Sequence, residues 1–302
     1  MQQTRLLENH FAYPVHASSP VLMAPDVAAL VRKARDTNMP FTLHVDSCAL
    51  MQAIQQTTCM HLTCLVLLTA HWQGCSVAAI AVSCPRLESI QVWGPLPSPD
   101  FLEEIAKAFH TRPIDLFLTN LHIRQPDLTM TAGVRKLQLC ESHHVQSLQV
   151  SCEDLCVHDC HNLRHIQASG PHVEVVCCKR LQSCDIQQAR FFCARDMPFL
   201  SSIQLQGEPE AIVILDHCPM MQADALTRLL QGQQKVRLIF NLHGETLPVF
   251  SHASAIERLD VFDGKVVQLP LGVSHVYLTR CKVSSHIHKD TFIHQEDCSP
   301  LP

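Results

Sequence analysis

VQSLQVSCEDLCVHDCHN (145–162), LRHIQASGPHVEVVCCKR (163–180) and LQSCDIQQARFFCARDMP (181–198) follow one another directly and align block on block. Each block opens on an apolar residue: Val145, Leu163, Leu181. Leu148, Ile166 and Cys184 come three residues on, and Val150, Ala168 and Ile186 two beyond that. A second apolar alternation follows, Leu155 with Val157 and Val173 with Val175, and Phe191 falls at this place in the third block. Alternation at a spacing of two marks a strand with one buried face. A strand this short cannot bury its apolar side alone. Stacked turns must supply the core, so a fixed repeat of this length predicts a solenoid whose turns run strand, corner, return segment, corner.

The unit L-x-x-L-x-V, followed by Cys or Gly, recurs as LESIQVWG (87–94), VRKLQLC (134–140), VQSLQVSC (145–152), LRHIQASG (163–170), LQSCDIQQ (181–188) and LSSIQLQG (200–207). Looser copies are HLTCLVLL (61–68) and IERLDVFD (256–263). The unit resembles a leucine-rich repeat, with Cys or Gly at the place where many families carry Asn. The resemblance implies an α/β leucine-rich-repeat solenoid: short parallel strands on one wall, short helices or extended return segments on the other. QLPLGVSHVYL (268–278) resembles the L-P-x-x-L spacing of bacterial effector-type leucine-rich proteins, which act as scaffolds or decoys on host proteins. The expected setting is cytoplasmic, from the cysteine usage described below, or, by that resemblance, a host cytosol into which the protein is secreted.

Composition narrows the classes. The net charge of −5 comes with no basic block, which argues against a nucleic-acid partner. No run of 18 apolar residues offers a membrane span. The 16 cysteines fall largely at apolar positions of the pattern, such as Cys64, Cys156, Cys177, Cys184 and Cys193. Buried free Cys acts as a small hydrophobe, so reduced, packed thiols are expected. The 20 histidines scatter over polar places, among them His143, His144, His158, His161, His165 and His172.

Three regions are expected. Residues 1–24, with Pro14 and Pro20, read as an extended or disordered leader. Residues 25–283 form one solenoid, because no Gly- or Ser-rich linker interrupts the array. Within it, helical patterns at VAALVRKAR (27–35), ALMQAIQQ (49–56), PLPSPDFLEEIAKAF (95–109) and ADALTRLLQ (223–231) flank the short central turns, and 119–133 reads as a long polar corner. Residues 284–302 lose the period and form a cap or tail.

The residue between the second and third apolar positions of each unit points outward. Gln91, Gln138, Gln149, Gln167, Asp185 and Gln204 should therefore stack as a polar column. His165 lies on one side of it, and Ser151, Ser169, Gln187 and Gln206 on the other, with Trp93 as the aromatic neighbour. Solenoids bind through such extended walls, so these twelve residues are the expected contact face for another protein. The same ladder also suits a purely structural role, its amides bonding from turn to turn.

Catalysis is not expected: G-x-S-x-G, P-loop and G-x-G-x-x-G motifs are all absent. Cys160 beside Asp159 and His161, and Cys218 after His217, are neighbours that a strand would point apart. No cofactor and no metal is expected, and the protein is expected to act as a monomer. The alternative is a Cys/His metal-binding or redox-sensing protein, with His286, His288, His294, Cys298 and Cys281 the most suggestive ligand types.

Overall fold

The computed structural model describes residues 21–22, 40–45, 48–56, 58–68, 76–96, 100–121, 126–130, 132–219, 235–248, 256–270, 272–284 and 292–301. They form a parallel β-solenoid of about 11 turns.

The first turns alternate strand and helix. Strand β1 (Val21–Leu22) pairs with β2 (Phe41–Val45). Then come helix α1 (Cys48–Gln56), β3 (Leu62–Leu68), α2 (Val77–Ser83), β4 (Ser89–Trp93), α3 (Phe101–Ala108) and β5 (Ile114–Thr119). Ser76 caps α2 by accepting a hydrogen bond from the Ala79 N–H. Glu103 and Glu104 sit in the first turn of α3 and Lys107 in its last, matching the helix dipole at both ends. Phe101, Leu102 and Ile105 bury its apolar face.

The central turns replace the helix with a second strand. The segment 119–133 is not only a corner, because it contains β6 (Asp127–Met130). There follow β7 (Val134–Cys140), β8 (Ser147–Ser151), β9 (Asp154–His158), β10 (His165–Ser169) and β11 (His172–Val176). Strands β12 (Ser183–Arg195) and β13 (Ser202–Asp216) are long enough to serve both walls. The last turns carry β14 (Lys235–Asn241), β15 (Ile256–Phe262), β16 (Lys265–Val266), β17 (His275–Thr279), β18 (Lys282–Val283), β19 (Phe292–Glu296) and β20 (Ser299–Pro300). Residues 292–300 lack the apolar period, yet they add a rung: β19 pairs with β17 and β20 with β18.

Two walls result. The long sheet runs β2-β3-β4-β5-β7-β9-β11, then the second halves of β12 and β13, then β14-β15-β17-β19. The short sheet is β6-β8-β10 and the first halves of β12 and β13. Between them lies one core. Leu116, Leu137, Leu155, Val173, Phe192, Val213, Leu238, Leu259 and Val276 stack rung on rung from the long sheet, all 1% exposed or less. Leu148, Ile166, Cys184 and Ile203 do so from the short one.

Described helices thus accompany part of the array only, and second strands take their place in the central turns. Among the described residues, α-helices occur between β2 and β5, and the central turns have none. The reason is chain length. Ser147, His165 and Ser183 pair in succession, so a central turn has 18 residues. After two five-residue strands, too little chain remains for a helix. The N-terminal turns are longer: Cys64 pairs with Ser89, 25 residues on. The patterns at 27–35 and 223–231 lie outside the described residues.

Most of the described corners are built without glycine; Gly94, with φ 96° and its N–H on the Thr119 carbonyl at 3.0 Å, is an exception. Asn120, Glu141, Asp159, Cys177, Asp196, His217, Asp263, Arg280 and Asp297 all have φ between 51° and 55°. This left-handed conformation costs a non-glycine residue about 1–2 kcal/mol. Here it aims every N–H but that of Asp297 at the last strand carbonyl of the next turn: Asp159 to Val176 (3.1 Å), Cys177 to Arg195 (3.0 Å), Asp196 to Asp216 (2.9 Å). The next residue plugs the corner. Leu121, Ser142, Cys160, Cys178 and Met197 are fully buried there. The Cys160 thiol donates to the carbonyls of His158 (3.3 Å) and Leu139 (3.7 Å), and the Cys281 thiol to those of Thr279 and Val261 (both 3.4 Å). Cys thus ties one turn to the next at a corner, through bonds that are individually weak.

Candidate functional site

Strand register sorts the twelve expected contact residues onto two walls. Nine share the outward face of the short sheet. Gln149, Gln167, Asp185 and Gln204 form one column, and Ser151, Ser169, Gln187 and Gln206 the next. His165 stands in the third, between Ser147 and Ser183, with its Nδ1 2.8 Å from Ser183 Oγ. Gln91, Trp93 and Gln138 do not belong there: they lie on β4 and β7, in the long sheet. One column of six is therefore corrected to a column of four plus two residues on the other wall. The repeat unit looks alike on either wall, and only pairing separates the copies.

The short sheet's face is polar and open. Gln149, Gln167, Gln187, Gln204 and Gln206 are exposed. No hydrogen bond joins the amides of Gln149, Gln167 and Gln204, so this column is not tied together by its own side chains. Asp185 is half-buried, with Oδ1 shielded and unpartnered within the protein.

The long sheet's outward face differs in kind. Its middle column runs Gln138, Cys156, Glu174, Cys193, Ile214, Ile239, Asp260, Tyr277. Beside it run Lys136, Asp154, His172, Phe191, Ile212, Arg237, Arg258 and His275. Ion pairs and His–carboxylate contacts cross the rungs. Asp154 sits between Lys136 (2.7 Å) and His172 (3.4 Å). Asp216 sits between Arg195 (3.0 Å) and His243 (2.8 Å). Asp260, only 2% exposed, takes Arg237 (2.9 Å) and Arg258 (2.8 Å), and the Arg258 guanidinium lies 3.9 Å above the Tyr277 ring. Asp260 raises the Arg258 pKa by hydrogen bonding. Between these ionic clusters Phe191, Ile212, Ile214 and Ile239 meet in an apolar patch, with Ile212 38% exposed.

One close pair was not among the expected candidates. Cys156 Sγ lies 2.9 Å from His158 Nε2, with Glu174 beside Cys156 on the next strand. The signal was Cys-x-His within a strand, where residues two apart share a face. Burial pushes the Cys156 thiol well up and the His158 imidazole down. Both groups are held neutral, so this pair is not an activated thiolate. Cys156 and Cys193 both face outward rather than into the core, and Cys177 sits half-buried at a left-handed corner.

Cys152, Cys156 and Cys160 diverge, to an inner edge, the outer face and a corner. Fourteen described cysteines are free. Among the described residues, no three His, Cys, Asp or Glu side chains converge to hold a metal ion, and His286 and His288 lie outside them. No described helix is long and apolar enough to cross a membrane. No protein-family model, no curated protein and no solved structure matches the chain.

Proposed function

We propose that the protein is a non-catalytic scaffold that binds another protein across the outward face of the long sheet. The observation that carries this reading is the patch of Phe191, Ile212, Ile214 and Ile239 bordered by Arg237, Arg258 and Tyr277. Tyr and Arg beside aliphatic anchors are the residue types that dominate binding energy at protein interfaces. The partner is a protein surface offering apolar side chains flanked by a carboxylate, because two guanidinium groups share the single Asp260 carboxylate and leave one positive charge in excess. The glutamine-rich short sheet is the second candidate, favoured by its nine exposed or half-buried polar residues in three registered columns. The resemblance to leucine-rich effectors supports a scaffold or decoy role, and reduced thiols throughout the described residues suit a cytosolic setting.

The test compares proteins captured by the wild-type chain with those captured by two folded variants. Ile212→Glu should abolish capture of the specific partner. Gln149→Arg with Gln167→Arg should leave it intact. Loss with the glutamine variant alone moves the site to the short sheet, and loss with neither rejects both faces.

A further inference from the structure

Four of the buried thiols share one position in the repeat. Cys59, Cys84, Cys160 and Cys178 each stand three residues before the first apolar residue of a unit: Leu62, Leu87, Leu163, Leu181. In each, the carbonyl of the Cys accepts a hydrogen bond from the N–H of that leucine, at 2.9–3.3 Å. All four are 1% exposed or less. They fall in pairs. Cys59 and Cys84 occupy matching corners of adjacent turns, where the Cys59 N–H bonds to the Ser83 carbonyl at 2.7 Å. Cys160 and Cys178 do the same one residue after the linked corners Asp159 and Cys177. Within each pair the two side chains lie close enough to shift one another's ionisation, while the Cys160 and Cys178 thiols donate to backbone carbonyls.

Adjacent rungs lie about 4.8 Å apart. A disulfide requires Cα atoms roughly 4.4–6.8 Å apart. Matching corner positions of a parallel stack therefore meet this requirement without moving the backbone. The other described thiols lack this arrangement. Cys184 stacks between Ile166 and Ile203, and Glu174 separates Cys156 from Cys193. Cys281 and Cys298 occupy matching corners too, but Cys298 is only half-buried in the last described rung, so that pair is not sealed as the other two are.

We propose that Cys160–Cys178 and Cys59–Cys84 are inter-turn disulfide sites, closed when the protein meets a peroxide. In each pair one thiol attacks the peroxide, whose O–O bond breaks, giving a sulfenic acid and one water. The second sulfur displaces the sulfenic oxygen as another water, and the S–S bond forms. Two protons and two electrons leave the thiols, and the peroxide is reduced to two waters. The bridges join neighbouring rungs, so they oppose the opening of turns by which a solenoid unravels. Because the sulfurs are sealed from solvent, reaction follows local opening of a corner, and the bridge then holds that corner shut.

The experiment is peptide mapping by mass spectrometry of the native full chain, incubated with hydrogen peroxide and digested without reductant. Two cross-linked species are expected, joining Cys160 to Cys178 and Cys59 to Cys84, together with the loss of four titratable thiols and recovery of all four with dithiothreitol. The melting midpoint should rise by about 5 °C on oxidation. Cys160→Ser should lose one cross-link and keep the other. Should that variant not fold, mapping of the unmodified chain decides alone. Retention of both pairs as free thiols under native conditions, or bridging elsewhere in their place, overturns the proposal.

Discussion

Two nine-residue stretches, CPRLESIQV (84–92) and CHNLRHIQA (160–168), follow the same pattern but lie on opposite walls. Both begin with a buried corner thiol. Both bury their Leu, Leu87 at 1% and Leu163 at 0% exposure. In both, the leucine N–H bonds back to the Cys carbonyl at 3.0 Å. Yet Ile90 and Val92 belong to the long sheet, and Ile166 and Ala168 to the short one. The pattern therefore specifies a corner followed by a strand, and leaves the wall open. What decides the wall is the other half of the turn. Where a helix faces the strand, as between β3 and β5, the motif strand joins the long sheet. Where a second strand follows seven residues later, that second strand takes the long sheet and the motif strand moves across.

Because the inward faces of the two walls are built alike, a charge should be equally ruinous on either. Leu148→Asp puts a carboxylate into the short sheet's ladder between Leu128 and Ile166, with no cation at hand. The expected cost is about 4 kcal/mol or more. Circular dichroism should show loss of the cooperative melt. A variant that melts like the wild type would mean that Leu148 does not face the core.

The outward faces separate the walls, and there the expected effects diverge. Arg258→Met removes one of two cations from a carboxylate that is 2% exposed, together with the guanidinium stacked on Tyr277. Arg237 remains as partner, so the expected loss is about 2 kcal/mol, short of the full penalty for an unpaired buried charge. Denaturant unfolding should show a lower midpoint at unchanged slope. An unchanged midpoint would mean that solvent already screens this triad.

The fold's period was legible because it is written in apolar residues that must alternate to bury one face. The columns of the short sheet were equally legible, since three consecutive 18-residue blocks fix the register of Gln149, Gln167 and Asp185. The assignment of Gln91 and Gln138 was not, because outward-pointing glutamine looks the same on either wall. The apolar and Arg/Tyr patch escaped for a different reason. Ile212, Ile214 and Ile239 sit in strands rich in apolar residues, and an isoleucine on an outer face has no mark to distinguish it from one in the core. Cys156 and His158 are not sequence neighbours as Cys160 and His161 are, yet a strand brings residues two apart onto one face and so pairs them.

The smallest expected effect belongs to the column that was easiest to read. Gln149 and Gln167 are exposed, stand side by side on paired strands, and share no side-chain hydrogen bond. If the amides stabilised the wall, truncating both would weaken it by more than either alone. The geometry predicts otherwise. Gln149→Ala and Gln167→Ala should each change stability by no more than about 0.5 kcal/mol, and the double variant should show the sum. A double-mutant cycle by denaturant unfolding measures the coupling. A coupling near zero leaves these side chains available for contact with another molecule at no cost to the fold. A favourable coupling of about 1 kcal/mol would make the column a structural ladder. The short sheet would then resemble the long one, with both held together from their outer faces.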